Sequence, residues 1–304
     1  MPDAQVLVVG SINMDLVVRT ARLPEAGETV PGKSFATIPG GKGANQAVAA
    51  ARLGARTAMV GCVGDDAFGQ ELRRVLAADA IDCRAVREAA GVPTGVALIE
   101  VDDAGRNHIV VVPGGNGRLL PADVQAHEAL LAGARAVVLQ LEVPLPTVVW
   151  TAVRARALGK LVVLNPAPAQ PLPPELLASA DYLVPNELEA GALAGVRVDS
   201  PAAAAEAARR LRAQGPRNVI ITLGAAGVLS ATADEVRHHP ARPVQAVDST
   251  AAGDTFIGGL CAALVEGRPL DRAIAFAQAA AAISVTRPGA QTSIPRREEV
   301  EAEA

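Results

Sequence analysis

Short apolar, β-branched runs recur along the chain, and most are followed by an Ala-rich stretch of helical character. Residues 6–10, 57–62, 136–141, 161–164, 182–184 and 218–223 read as strands. Residues 44–53, 69–78, 122–131, 146–158, 187–194, 201–214, 254–266 and 270–286 read as helices. A half-exposed strand alternates polar with apolar residues, whereas these runs are continuously apolar, so both faces are expected to be covered. Strand and helix alternating at this interval predict βαβ crossovers: an α/β chain with a mostly parallel sheet and helices on both faces.

Two regions depart from that rhythm. Residues 15–38 and 93–112 alternate in character, carry turn residues and hold no long helix between them. Within the second, 94–101 and 107–112 flank Asp102-Asp103-Ala104-Gly105-Arg106 and read as a hairpin. Together they form a small β excursion from the main sheet, either a lid or an edge hairpin without motion. No repeat or linker divides residues 1–304, so a single domain is expected.

Half of the 304 residues are hydrophobic, but only 2% are aromatic. So few rings argue against stacking single-stranded bases. A formal charge of -4 argues against a broad basic face for duplex DNA or anionic lipid. The longest apolar stretch, 273–285, is broken by Gln278 and Ser284 and is too short to span a bilayer. Neither nucleic acid nor membrane is therefore an expected partner. Cys62, Cys83 and Cys261 lack metal-site or disulfide-frame spacing, and no basic segment precedes the first apolar run. Reduced thiols and no signal peptide make a cytoplasmic protein the expectation.

In open α/β sheets, ligands bind beyond the carboxyl ends of the strands. Asn13 and Asp15 follow the first strand, Glu142 the third, Asn165 the fourth, and Asn186 with Glu187 the fifth. Singly, each is a turn residue or helix cap. Convergence from four strands favours a site for a hydroxylated ligand. Pro39-Gly40-Gly41-Lys42-Gly43-Ala44-Asn45-Gln46 then opens an Ala-rich helix. Its glycines let the backbone approach a ligand, and it matches neither a Walker A loop nor G-x-G-x-x-G. Lys42 is one of only three lysines, and with Asn45 it could hydrogen-bond sugar hydroxyls.

A second motif, Asp248-Ser249-Thr250-Ala251-Ala252-Gly253-Asp254-Thr255-Phe256, opens another helix. The N–H groups of Ala251, Ala252 and Gly253 can face an anion unobstructed. A carboxylate is a poor phosphate ligand, so Asp254 suggests a base taking a proton from an attacking hydroxyl; capping by Asp254 or Ser249 is the plain alternative. Amide cradle and carboxylate together supply what phosphoryl transfer needs.

These two motifs resemble the signatures of the PfkB carbohydrate kinase family. The similarity extends from Val8-Val9-Gly10-Ser11-Ile12-Asn13-Met14-Asp15 to Arg287-Pro288-Gly289-Ala290-Gln291, nearly the whole chain. It is narrowest toward the ribose-phosphorylating branch, through Leu164-Asn165-Pro166-Ala167-Pro168-Ala169, Pro185-Asn186-Glu187 and Ile221-Thr222-Leu223-Gly224.

The resemblance implies ATP-dependent phosphorylation of D-ribose at O5. It assigns the sugar hydroxyls to Asn13, Asp15, Gly41, Lys42, Asn45 and Glu142, the general base to Asp254, and the anion hole to Ala251, Ala252 and Gly253. It assigns ATP to Asn186, Thr222, Gly224, Gly227, Gly253 and Gln278. Asn186 with Glu189 matches an element associated with Mg²⁺ and phosphate placement. Asp248, Thr250, Ser284, Arg287, Gly289 and Ser293 match a monovalent-cation site for K⁺, mostly through backbone carbonyls. The β excursions match a lid that also forms a homodimer contact.

Gln278 stands where relatives often carry His, which bears on nucleobase preference, and Pro113-Gly114-Gly115-Asn116 bears on sugar fit. His108, His127, His238 and His239 lack metal-ligand spacing. The Asp65-Asp66 pair reads as a helix cap, and 296–303 as a solvated, charged helix end. The alternatives are a kinase of nucleosides or other sugars, and a catalytically inactive sugar-responsive binding protein. A dinucleotide-dependent dehydrogenase would suit the strand pattern but needs a glycine fingerprint that this chain lacks.

Overall fold

The computed structural model describes residues 4–302; residues 1–3 of the N-terminal segment and Glu303 of the charged tail lie outside the described residues. The main sheet has nine strands. From one edge they run β13 (Val236–His239), β12 (Val228–Ala231), β11 (Asn218–Thr222), β10 (Tyr182–Leu183), β9 (Leu161–Leu164), β8 (Ala136–Leu139), β1 (Val6–Val9), β4 (Thr57–Gly64) and β5 (Asp82–Ala89). From β11 to β5 every pairing is parallel; β12 and β13 are antiparallel additions. A separate four-stranded sheet has the order β3 (Gly32–Gly40), β2 (Asn13–Thr20), β6 (Gly95–Val101) and β7 (Asn107–Val112).

The continuous apolar character of β1 has a direct explanation. Val6 and Val8 enter one hydrophobic core, Leu7 and Val9 the other, and all four are fully buried. The first core lies under the helices Lys42–Arg52, Ala67–Ala78, Ala252–Val265 and Leu270–Ser284. The second lies under Leu145–Ala157, Pro174–Ser179, Glu187–Ala194 and Pro201–Ala213. Scarcity of rings does not leave the first core loose, because its helices approach closely through small residues. A Cβ at Gly258 would stand 2.3 Å from the Cβ of Ala49, and one at Gly259 would stand 3.2 Å from the Cα of Ala277. Close approach of helix 42–52 to helix 252–265 joins the two sequence motifs.

Several elements differ from the sequence expectation. The helix expected over 122–131 is two, Pro121–Gln125 and Glu128–Gly133, because His127 leaves helical backbone at φ -116°, ψ 30°. β5 escaped notice because this edge strand interrupts its buried residues, Ala85, Val86 and Ala89, with charged ones that face out, Arg84, Arg87 and Glu88, and so shows no continuous apolar run. The antiparallel strands β12 and β13 were not anticipated either. The small sheet begins at Asn13 and reaches Gly40, slightly beyond the expected bounds, because Asn13 pairs with both Gly40 and Gly95. Asp66 does cap a helix, its Oδ1 accepting the Gly69 N–H at 2.9 Å. The helix Arg297–Ala302 is tied down by Arg297 to Glu266, and Arg287 pairs with Glu299.

Candidate active site

β1 passes directly into β2 through Gly10, Ser11 and Ile12, and β3 returns to the same rim before helix 42–52 begins. The turn is at Gly41, which has φ +90°; a Cβ there would stand 2.7 Å from the Asn13 amide nitrogen, so only glycine fits without strain. The helix start is pressed onto the end of β1. Lys42 N–H donates to Glu142 Oε2 at 3.2 Å, Gly43 N–H donates to Ser11 Oγ at 3.2 Å, and Ser11 Oγ donates to Glu142 Oε2 at 2.6 Å. Asn13 is held from behind, its Oδ1 accepting from Asn116 Nδ2 at 2.6 Å. Asn116 also brackets Ile12, accepting its N–H at 2.8 Å and donating to its carbonyl at 3.1 Å. The Pro113–Asn116 departure noted in the sequence thus supports the Asn13 end of the site.

Helix 252–265 brings Asp254 to the same place. Its N-terminal flank is Ala251, in left-handed backbone at φ 59°, and no side chain caps it. Asp254 lies buried in the first turn, and its oxygens point away from its own helix: Oδ2 accepts from Asn45 Nδ2 at 3.0 Å, Oδ1 from Gln46 Nε2 at 2.8 Å. Helix capping, the plain alternative for this residue, is therefore not what Asp254 does here.

A cleft of about 210 Å³ opens in front of it. It is lined by Lys42, Asn165, Asn186, Glu189, Thr222, Ala251, Ala252, Gly253 and Asp254, all anticipated, together with Ala167, Val184, Ser249 and Ile257. A Cβ at Gly253 would meet nothing within 4 Å, so this turn of helix faces open space. First-turn N–H groups have no acceptor within their helix, and the dipole there favours an anion. Asn186 and Glu189 fix each other as a reciprocal cap: Glu189 N–H donates to Asn186 Oδ1 at 2.8 Å and Asn186 N–H to Glu189 Oε2 at 2.9 Å.

Charge is balanced closely around the cleft. Burial pushes the Asp254 carboxyl above its usual range, and the repulsion of Glu142 adds to this; the Lys42 ammonium and the two amide donors pull back without cancelling it. Burial would lower Lys42, but Asp254, Glu142 and Glu189 outweigh it and hold the ammonium above its ordinary value. Glu189 is raised by burial, against the Asn186 N–H and Lys42. Asp15 is pushed up to about 7, first by burial and then by Glu142 and Asp254.

The Asp15 shift has a measurable sign. The native chain keeps a proton at about pH 4–7 that the unfolded chain has released, so this stability is lost as pH rises through about 7. Asp15→Asn is expected to gain melting temperature relative to the parent between about pH 5 and about pH 8. Parallel melting curves across that range would rule out the buried proton.

The remaining anticipated residues form two neighbouring groups rather than lining the cleft. Gln278 Nε2 donates to the His239 carbonyl at 3.1 Å, and a Cβ at Gly227 would stand 2.1 Å from the same oxygen; Gly224 opens the preceding 3-10 turn. In the second group, Asp248 Oδ1 accepts from Thr250 N–H at 2.9 Å and from Thr250 Oγ1 at 2.6 Å, and Oδ2 from Gly289 N–H at 2.9 Å. The Val285 carbonyl accepts the Asp248 N–H at 3.1 Å, and Ser284 and Ser293 are buried alongside. Arg287 directs its guanidinium to Glu299. Among the described residues, no three His, Cys, Asp or Glu side chains gather as metal ligands.

Asn116 stood out only within the Pro113–Asn116 segment, and Ser11, Gln46 and Gln140 were overlooked as functional candidates. Only Gln46 left a local trace, four residues after Lys42 and so on the same helix face.

Residues 3–297 match the model of the pfkB family carbohydrate kinases. Ribokinase of Haemophilus influenzae is 45% identical over 292 residues, covering 96% of this chain and 95% of that protein. Deoxyribokinase of Salmonella typhi is 39% identical over 295 residues, covering 97% and 96%. The structure of Arabidopsis thaliana ribokinase complexed with ribose and ATP has a TM-score of 0.92 at 34% identity, covering 99% of this chain and 98% of that one. Motifs, fold and relatives agree: the chain belongs to the pfkB family of carbohydrate kinases.

Proposed function

We propose that this enzyme transfers the terminal phosphoryl group of ATP to O5 of D-ribose, giving D-ribose 5-phosphate. One observation carries the reading: a buried carboxylate, Asp254, held by Asn45 and Gln46 beside an unobstructed helix start in a cleft that also holds Lys42. A ribose-and-ATP complex of a relative and the ribokinase names of others support the choice of sugar and nucleotide.

Ribose presents several hydroxyls and no charge, and Asn13, Asp15, Gly41, Lys42, Asn45 and Glu142 offer the donors and acceptors to hold them. Asp254 takes the proton of the primary hydroxyl as its oxygen attacks phosphorus. Its raised affinity for a proton suits a base working near neutral pH. The amides of Ala251, Ala252 and Gly253 stabilise the charge on the transferring group. Asn186, Thr222, Gly224, Gly227 and Gln278 hold the nucleotide.

Open space before Gly253, with the Glu189 carboxylate across the cleft, fits a polyphosphate and its counterion. Mg²⁺ neutralises polyphosphate charge, with Glu189 acting on it indirectly. The Asp248 carboxylate beside the Gly289 turn fits K⁺, held mainly by the carbonyls of the 248–250 and 284–293 segments. That ion would brace the anion hole from behind.

The small sheet is read as a lid over the sugar and as the contact of a homodimer. Phe35, Ile109 and Val110 on it are 64%, 54% and 59% exposed, which supports a covered face in the assembled enzyme. No helix among the described residues is long and apolar enough to cross a membrane. The free cysteines Cys62, Cys83 and Cys261 suit the reducing cytoplasm.

A coupled assay of ADP release across D-ribose, 2-deoxy-D-ribose, hexoses and nucleosides, with and without K⁺, tests the reading. D-ribose is expected to have the highest kcat/KM, and K⁺ to raise it. Preference for deoxyribose, a hexose or a nucleoside would overturn the substrate. No sugar-dependent ADP release at all would revive the binding-protein alternative.

A further inference from the structure

Behind Asp254 lies a chain of buried amides that the sugar and nucleotide assignments leave unused. Gln140 Nε2 donates to Gln46 Oε1 at 2.6 Å; Gln46 Nε2 donates to Asp254 Oδ1 at 2.8 Å and to Asn165 Oδ1 at 3.2 Å; Asn165 Nδ2 donates to the Val184 carbonyl at 2.9 Å. Gln46 and Gln140 are fully buried. The geometry points to Gln46 as a positioning residue for the base: it holds one oxygen of Asp254, and Gln140 and Asn165 hold Gln46.

The polarity of the chain is forced. If Gln46 turned its amide over, its carbonyl oxygen would face the carboxylate oxygen, and its nitrogen would face the nitrogen of Gln140. If Gln140 turned over alone, two carbonyl oxygens would meet. Gln140 therefore keeps its N–H toward Gln46 even though its own Oε1 is buried with no hydrogen-bond partner. That oxygen occupies the place of a side chain at residue 10, where a Cβ would stand 1.9 Å from it. Glycine at this position makes room for a glutamine whose one hydrogen bond feeds the next amide. An amide that accepts at oxygen donates more strongly at nitrogen, so the second link reinforces the first.

Asp254 is also faced by Lys42 from the same helix as Gln46, by Glu142 beyond β8, by Asp15 from β2 and by Glu189 from helix 187–194. These charges do not select one rotamer of the carboxylate. A directed N–H on Oδ1, paired with Asn45 on Oδ2, does. Both donors also favour the ionised base against burial.

This inference rests on Asp254 being the base. Its test uses Gln46→Met and Gln140→Met, which keep length and apolar packing while removing the donors. Two readouts apply: kcat and sugar KM against pH, and titration of the Asp254 carboxyl by ¹³C NMR in the sugar-free proteins. Gln46→Met is expected to lower kcat about tenfold near neutral pH, recovering as pH rises, with sugar KM within about twofold. Its Asp254 carboxyl should titrate at higher pH. Gln140→Met should move both readouts the same way by less. A kcat loss that does not depend on pH, or an unmoved Asp254 titration, overturns the role of Gln46. Should Gln46→Met fail to fold, Gln140→Met decides by the same criteria. If the parent enzyme fails on ribose, the proposed substrate falls, while the sugar-free titration still judges the amide chain.

Discussion

Asp254→Asn is expected to lower turnover by about 10²–10⁴-fold while sugar binding survives. The substitution keeps shape and removes the ability to take a proton at neutral pH. The sugar contacts proposed for Asn13, Asp15, Lys42 and Glu142 remain, so calorimetric affinity for ribose should change little. The new amide can accept from only one of Asn45 and Gln46, because its own nitrogen now faces the other donor. One buried N–H is left without an acceptor, at a cost of about 1–3 kcal/mol. Relief from burying a negative charge offsets part of that cost, while the attraction of Lys42 is lost with it. Near-normal turnover in a coupled assay would remove Asp254 from the role of base.

Gly253→Val separates catalysis from folding more sharply. A Cβ at 253 meets nothing within 4 Å and the position is exposed, so a side chain has open space to enter. Stability should stay within about 0.5 kcal/mol of the parent, as for other unobstructed surface changes. The added isopropyl group nevertheless projects into the space before the helix start, where the transferring phosphoryl group is proposed to sit. Turnover should fall by about 10²–10³-fold, comparable to losing one donor of an anion hole. Thermal melting and steady-state kinetics on one preparation check both halves. Retained activity would place the phosphoryl group elsewhere.

The two variants probe adjacent positions on one helix turn. Asp254 points toward the amides of helix 42–52, and the Gly253 position points to the open cleft. A single turn thus holds the proposed base and the proposed anion site, one residue apart.

How much of this was legible beforehand depends on the range of each interaction. Gly41, Lys42 and Asn45 stand within five residues, and Ala251 to Asp254 within four; their motifs are visible locally. Gln46 was read as part of a motif and not as a partner of Asp254, because that contact spans 208 residues. Gln140 reaches Gln46 across 94 residues, and Asn116 reaches Ile12 across 104. No pattern in the flanking sequence marks such residues, since an isolated Gln or Asn after a strand serves equally well in a turn. The edge strands β5 and β13 were hidden for a related reason: exposed charged and polar residues break the apolar run that reveals a central strand.

By itself, the sequence determined the alternation of strand and helix, the burial of the central strands on both faces, and two helix starts suited to hydroxyls and an anion. These follow from local covalent and solvation physics: continuous apolar runs must leave water on both sides, and small residues leave backbone N–H groups open. Only the tertiary structure decided that Asp254 is not a helix cap. It brought helices 42–52 and 252–265 together through Gly258 and Ala49, so that Asn45 and Gln46 hold the carboxylate. The physical reason is that a buried carboxylate takes its orientation and proton affinity from donors and charges fixed by the fold, most of them remote in the chain.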